Sequence, residues 1–272
     1  MKTLLLLNDF SPEAEHALAY TLVFAENLNA KVLVCNIKPL ASVKTEKQMV
    51  MAASNQITSN APLNAAEDAE PKRNKWDELR AEVMFLPEAD FINGGLHQIV
   101  IKQNIDLIIQ GVSGELKKME AAAWPILSKT FCPLLLVSMN APLTKCNNMA
   151  YMTDLRYCRE EMLNAIIRIG KPLKSNMTIA HLSASGLPNL AENYALQLFD
   201  ENINRKHPSN SFTFNNTKAR DAKKAADVLI HAMNVDILAV IYRQSHFNDL
   251  ISGASMIKEV DPFPIPLLLF PS

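Results

Sequence analysis

The residues best suited to hold an anion are two closely spaced glycines in the segment Gly111-Val112-Ser113-Gly114. The segment follows an apolar run, which indicates a turn from a strand into a helix. Glycines let backbone N–H groups approach phosphate oxygens, and a helix N-terminus completes such a site. The same glycines also suit a tight turn that needs positive φ. The sequence alone does not decide between a phosphate contact and a turn.

Two aspartates, Asp9 and Asp154, stand at corresponding places, each separated by one residue from the end of a short apolar run. Such an Asp either contacts a nucleotide or caps the following turn through backbone N–H groups. Ser113 and Ser255 are interpreted as further caps. Asp9, Asp154 and the two serines are therefore candidate binding residues with a structural alternative.

Residue patterns typical of catalysis are missing from the sequence. The six histidines show no HxH or HxxxH spacing, so we predict no metal site. There is no Gly-x-Ser-x-Gly elbow, and no cysteine stands in a recognisable nucleophile setting. We predict no catalytic residue, and we expect a binding or regulatory protein rather than an enzyme.

Bulk composition narrows the class of partner. The 272 residues carry 27 basic and 28 acidic side chains, a net charge of −1, so a nucleic-acid partner is not expected. No apolar run approaches the roughly 20 residues that span a bilayer, so a membrane partner is not expected either. The four cysteines form no CxxC pair, and we find no signal peptide. A reducing, cytoplasmic location follows as an expectation.

Apolar segments repeat in the same order in the two halves of the chain, which indicates a duplication. We predict one domain at residues 1–143 and a second, degenerate one at 144–272, joined by a linker at Asn140–Asn148. The matching pairs are Leu4–Leu7 with Met149–Met152, Val32–Ile37 with Met177–Leu182, Asp106–Ile109 with Asp236–Ile241, and Pro133–Val137 with Pro266–Phe270.

Within each half, short apolar runs alternate with segments of helical period. The runs are almost continuously apolar, which is typical of strands buried on both faces of a parallel sheet. Alternating strands and helices predict βαβ units and a doubly wound, Rossmann-like α/β fold. The predicted strands are Thr3–Leu7, Lys31–Ile37, Glu82–Leu86, Asp106–Ile109, Leu134–Val137, Met149–Met152, Met177–Leu182, Ser211–Phe214, Asp236–Ile241 and Leu267–Phe270.

The segment Asp9-Phe10-Ser11-Pro12-Glu13-Ala14 resembles the opening of a universal stress protein domain, and Asn104–Gly114 with Cys132–Val137 is similar to that family's fourth and fifth strands. The resemblance implies two tandem domains of adenine-nucleotide alpha-hydrolase-like fold, each with strand order 3-2-1-4-5. It also implies that the last strands of the two domains pair antiparallel across a pseudo-twofold axis.

Members of this family that bind ATP carry Gly-x2-Gly-x9-Gly-(Ser/Thr) after the fourth strand. Here Gly111 and Gly114 match its start, but Trp124-Pro125 stand where the last pair belongs. We expect the Trp124 indole to fill the space that phosphates would occupy, and Pro125 has no N–H to donate. In the second half Ile241 and Gln244 replace the early glycines, and only Gly253-Ala254-Ser255 partly survives.

These observations predict a universal-stress-protein-like regulatory or sensor protein with a degenerate nucleotide site. It would act through homodimerisation and through binding of a partner or small ligand. The alternative is an adenine-nucleotide binding protein, with ATP or AMP as ligand and weak ATPase activity. A third interpretation is a small apolar or anionic ligand other than a nucleotide, in a pocket lined by Trp124.

Overall fold

The structure is a computed structural model that describes residues 2–37, 49, 51–53, 56–57, 82–86, 95–217, 221–252 and 263–272. All ten predicted strands are present, with ends shifted by a few residues at most. They are β1 Lys2–Asn8, β2 Ala30–Asn36, β3 Val83–Leu86, β4 Leu107–Val112, β5 Leu134–Ser138, β6 Asn148–Thr153, β7 Asn176–His181, β8 Phe212–Asn216, β9 Ile237–Ile241 and β10 Leu267–Phe270.

All ten strands belong to one sheet, in the order β3-β2-β1-β4-β5-β10-β9-β6-β7-β8. The first five strands have the predicted order 3-2-1-4-5. The strands of the second half have the same order when counted from the opposite edge of the sheet. Every pairing within a half is parallel. The doubly wound α/β fold predicted from the sequence is therefore confirmed.

The two halves join through one antiparallel pair of strands, β5 and β10. Leu134, Leu135 and Leu136 pair with Leu269, Leu268 and Leu267, and all six side chains are buried. Each strand would otherwise expose an apolar edge, which proteins normally cover or pair. This pairing across the halves is the arrangement that the sequence predicts. The predicted boundary at residues 143/144 falls between β5 and β6, and the division into domains itself stays a prediction.

Helices cover both faces of the sheet. The helices of the described residues are α1 Pro12–Leu28, α2 Gly95–Lys102, α3 Leu116–Leu127, α4 Glu160–Leu173, α5 Glu192–Phe199, α6 Ala222–Asp227 and α7 Ser245–Ser252, with α5 and α6 each running on into a short π-helical stretch. One face packs against α1, α4 and α5. The other packs against α2, α3, α6 and α7. In the part of the chain that the structure describes, no helix has the length and apolarity to cross a membrane.

The start of α1 shows how the sequence sets the geometry next to β1. The Ser11 hydroxyl caps the helix by accepting from the backbone N–H of Ala14 at 3.2 Å, and Pro12 occupies the first helical position. Phe10 bends the chain with a φ of 62°, a left-handed conformation that is uncommon for a side-chain-bearing residue. This corner places the N-terminus of α1 beside the end of β4.

Candidate functional site

The first crevice lies where ligands bind in doubly wound sheets, at the carboxyl ends of β1 and β4. The structure brings the end of β4 at Gly111 against the first turn of α1, which follows Asp9. Ser113 and Gly114 come directly after β4. Four of the predicted residues therefore lie around this one crevice, and their contacts decide between binding and structural roles.

The Asp9 carboxylate is engaged by its own turn. Its Oδ1 accepts from the backbone N–H of Ser11 at 3.1 Å and from the Ser11 hydroxyl. Ser11 in turn caps α1, so Asp9 holds the residue that begins the helix. This geometry matches the capping alternative for Asp9.

Gly111 is needed for close packing. A Cβ added there would lie well inside contact distance of the Glu13 carbonyl oxygen and carbon and of the Ala14 nitrogen. These are backbone atoms of α1, which cannot move aside as a flexible side chain can. Gly111 does not have positive φ, so the turn interpretation is wrong for this residue and close helix–strand approach replaces it.

Gly114 does have positive φ, at 94°, as the turn interpretation requires. Its carbonyl oxygen accepts from the backbone N–H of Phe263 at 2.8 Å, a contact from the segment that leads into β10. The second half of the chain thus lies against this turn. The Ser113 hydroxyl oxygen is buried and has no hydrogen-bond partner among the residues that the structure describes, so the prediction that Ser113 acts as a cap is wrong.

A small cavity lies beside the Asp9 turn. The cavity lined by Asn8, Phe10, Ser11, Glu15, Leu18 and Met49 holds about 20 Å³, the space of one water molecule. Asn8, next to Asp9, donates to Asn36 at 2.7 Å and accepts from the Phe10 N–H at 3.1 Å. The polar groups at this corner are therefore paired with each other.

Trp124 lies elsewhere than predicted. The helix α3 begins at Leu116, two residues after Gly114, so Trp124 stands in its third turn, about 12 Å along the axis from the helix start. The side chain is 47% exposed, and its ring lies 3.7 Å from the guanidinium carbon of Arg243 in the second half. The prediction that a buried indole fills the first crevice is corrected, because the nine-residue spacing runs through a helix instead of a loop.

The second crevice contains a buried ion pair. Asp154 is 2% exposed, and its carboxylate accepts from the Arg156 side chain at 2.9 Å and 2.6 Å. It also accepts from the backbone N–H groups of Arg156 at 3.0 Å and Ala184 at 2.9 Å. Burial alone raises the pKa of the Asp154 carboxyl, but these hydrogen bonds outweigh it and the pKa lies below its ordinary value. Asp154 thus fastens the turn after β6 to the end of β7.

Two buried histidines lie beneath the same crevice. His181 Nδ1 accepts from the Leu155 N–H at 3.3 Å, and His246 Nε2 lies 2.6 Å from the Leu182 carbonyl oxygen. Burial lowers the pKa of both side chains, against the opposing influence of the Asp154 charge. The lowered pKa values favour the neutral form of both rings, and each ring contacts a backbone group.

An open cleft of about 520 Å³ lies above these residues, at the carboxyl ends of β6, β7 and β9. It is lined by Tyr157, Cys158, Arg159, Ala184, Gln244 and Ser245. The cleft offers an aromatic ring, a guanidinium, an amide and a hydroxyl, which is a set suited to holding a small anionic molecule. Burial raises the pKa of the Cys158 thiol to about 12, which disfavours the thiolate form that a nucleophilic cysteine requires.

Gly253 and Ser255 lie outside the described residues. Among the residues described, no three His, Cys, Asp or Glu side chains converge as a metal site. Sequence reasoning missed Arg156 and Arg243. Arg156 follows Asp154 by two residues, and Arg243 stands between the two positions where the motif has lost its glycines.

Comparisons with known proteins agree with this geometry. The family model described as "Universal stress protein family" matches residues 1–138. A universal stress protein from Archaeoglobus fulgidus superposes with a TM-score of 0.59 at 14% identity, covering 98% of this chain and 97% of that one. A search of curated proteins found no match.

Two further solved structures share the fold at low identity. A functionally unknown protein from Pseudomonas aeruginosa has a TM-score of 0.56 at 11% identity, over 99% of this chain and 92% of its own. The cytoplasmic domain of a prokaryotic cation chloride cotransporter has a TM-score of 0.51 at 8% identity, over 98% and 94%. With the family model matching half of the sequence, the chain belongs to the universal stress protein family.

Proposed function

We propose that this protein is a regulatory or sensor member of its family that acts without bound ATP, through dimerisation and through binding of a partner or small ligand. Family membership supports a stress-related function. The finer proposal rests chiefly on the first crevice, where Asp9, Gly111 and Gly114 already have structural partners.

The close approach of α1 to Gly111 carries this proposal. The glycine faces the Glu13 carbonyl, so the space beside it is filled by a helix backbone. A carbonyl oxygen also repels a phosphate, whereas an anion site needs N–H donors. In addition α3 begins almost directly after Gly114, with Glu115 at its N-cap position. An acidic side chain at that helix end disfavours a second anion.

Titration calorimetry with Mg-ATP and with Mg-AMP tests the proposal. We expect no binding in the low micromolar range, because such affinity requires about 8 kcal/mol that half a motif does not supply. Titration of a single-domain relative with an intact motif provides the positive control. Low-micromolar binding of either nucleotide would establish the alternative, an adenine-nucleotide binding protein, and hydrolysis of bound ATP would then test for ATPase activity.

A small anionic ligand in the second-half cleft is the ligand class that we favour. The cleft of about 520 Å³ falls in the size range of small-molecule sites, and Arg159 supplies a cation at its wall. Arg159→Gln should weaken such binding, whereas Arg205→Gln, which removes an exposed guanidinium elsewhere, should not. A native mass spectrum of the purified protein would show whether a small molecule co-purifies.

Dimerisation and location complete the proposal. Sedimentation equilibrium at several protein concentrations tests for a homodimer, and a strictly monomeric protein would overturn that part. The four cysteines are free thiols, three of them buried, which suits a reducing compartment. We therefore propose a cytoplasmic location, which imaging of a tagged chain can check.

A further inference from the structure

A further cavity lies at the amino ends of β7 and β8, whereas the second-half cleft lies at the carboxyl ends of the strands. Its volume is about 270 Å³. Ser175 and Asn176 line it, but their side chains already donate to the Cys146 carbonyl and to Asn148. Two lysines, three further hydroxyl side chains and one further amide define its chemistry, and they are Lys171, Lys174, Ser209, Ser211, Thr213 and Asn210. Lys171 belongs to the last turn of α4, and Lys174 follows as its C-cap. The hydroxyl residues come from the segment that leads into β8 and from β8 itself.

The charged side chains that line this cavity are all positive. Among the described residues that line it, none is acidic, and neither lysine forms an ion pair with any residue the structure describes. The cations nearby in sequence behave differently, because Arg205 pairs with Asp200 at 2.9 Å and Lys206 with Glu160 at 3.9 Å. Among these four cations, the charges of Lys171 and Lys174 are therefore not balanced by a described residue and can attract an anionic ligand.

Helix capping does not account for these ammonium groups. Lysines near a helix C-terminus often complement the helix dipole. Here the Gly170 and Lys171 carbonyls of the last turn of α4 already accept from the backbone N–H groups of Lys174 and Ser175. Lys174 itself holds the left-handed conformation of a C-cap, with φ of 56°. The two lysine side chains are exposed, and the Gly170 and Lys171 carbonyls do not need their ammonium groups as hydrogen-bond donors.

The loop opposite α4 supplies hydroxyl donors. The backbone N–H of Asn210 donates to the His207 carbonyl at 3.0 Å and so closes the turn. The Asn210 amide donates to the Ser209 hydroxyl oxygen at 3.5 Å, which leaves the Ser209 O–H proton available to a ligand. The Thr213 hydroxyl stands on β8 beside them. Cations on one wall and hydroxyls on the other are the donors that a tetrahedral oxyanion requires.

We propose that this cavity binds a phosphate group, either as inorganic phosphate or as a small phosphomonoester. A phosphate group carries about 1.5 to 2 negative charges at neutral pH, which two ammonium groups can balance. The hydroxyl side chains would then donate to the remaining oxygens. The site is separate from both crevices, so it does not depend on the proposed function.

Phosphorus NMR titrations with inorganic phosphate and with glycerol phosphate test this site at low ionic strength. We expect the wild-type protein to bind at least one of them and the double variant Lys171→Gln/Lys174→Gln to bind about tenfold more weakly, a loss of about 1.4 kcal/mol. The matched control is Lys117→Gln/Lys118→Gln, which removes two exposed charges from α3. It should bind like the wild type.

The two probes separate the two sources of phosphate. Equal binding of both identifies the phosphate group alone as the ligand, and tighter binding of glycerol phosphate identifies a phosphomonoester. No binding to the wild type at millimolar concentrations would overturn the proposal. Equal weakening in the lysine variant and in the control would also overturn it, because it would show attraction to surface charge in general.

A third variant isolates the hydroxyl contribution. Thr213→Val removes one exposed hydroxyl, keeps a β-branched side chain that suits β8, and leaves the charge unchanged. We expect a smaller but measurable loss of phosphate affinity with an unchanged melting temperature. Unchanged affinity would contradict the placement of the anion between α4 and β8.

Discussion

The Arg243 guanidinium carbon lies 3.7 Å from the centroid of the Trp124 ring, and this contact joins α3 in the first half to the end of β9 in the second. Both residues occupy positions within the family's nucleotide motif, one in each half. Their stacking is a cation–π interaction. A departure from the motif in the first half therefore contacts a residue within the degenerate motif of the second half, across the joint between them.

A double-mutant cycle measures the strength of this contact. Trp124→Leu and Arg243→Gln should each lower the free energy of unfolding, and the double variant should lose less than the sum. We expect a coupling energy of about 0.5–1 kcal/mol, typical of a partly exposed cation–π pair. Urea unfolding of the four proteins gives the values. Strictly additive losses would show that the contact adds no stability.

A substitution at Gly111 distinguishes the two interpretations of this glycine, close packing against α1 and contact with a phosphate. Gly111→Ala places a methyl group against the α1 backbone, so we expect the free energy of unfolding to fall by about 1–3 kcal/mol. Gly170→Ala is the control, because its added methyl meets the flexible Met177 side chain and gains helix propensity. Thermal and urea unfolding compare the two. A Gly111→Ala protein as stable as the wild type would reopen the phosphate interpretation.

The buried histidines predict a dependence of stability on pH. The pKa values of His181 and His246 in the folded protein lie below the ordinary 6.5, so at acid pH the unfolded chain binds more protons than the folded one. Their contribution to stability is present above about pH 6.5 and is lost as the pH falls through that value towards the folded pKa.

Urea unfolding between pH 7.5 and pH 5 checks this prediction, in a range that lies above the titration of Asp154. His246→Gln should reduce the slope, because glutamine does not titrate and can still donate to the Leu182 carbonyl. His97→Gln, at an exposed position, is the control and should leave the slope unchanged. A stability that is flat across this range would contradict the assignment.

The joint between β5 and β10 predicts that the halves depend on each other. Cleaving the chain between Asn147 and Asn148 exposes the paired leucine edges, so we expect fragments that reassociate or aggregate. Sedimentation velocity of the separated and mixed fragments tests this. Two soluble monomeric fragments with native circular dichroism would show that the pairing is dispensable.

The strands were predictable because each is a short apolar run buried on both faces, as Leu4–Leu7 and Leu134–Val137 illustrate. The joint was predictable because apolar final strands need a partner. The position of Trp124 was not, since motif spacing does not reveal that α3 begins at Leu116. The Arg243 contact is equally invisible in sequence, because it joins residues far apart along the chain and belongs to no periodic pattern.

Because β5 and β10 belong to one polypeptide, the association of the two halves does not weaken on dilution, as that of separate subunits does. A substitution in a symmetric dimer appears twice, once in each subunit, whereas here it appears once. By the repeat, Trp124 corresponds to Ala254 and Arg243 to Ser113, so the stacked pair has no counterpart across the pseudo-twofold axis. Covalent linkage thus permits the two sides of the molecule to specialise separately, with a helix backbone packed against Gly111 on one side and an open cleft on the other.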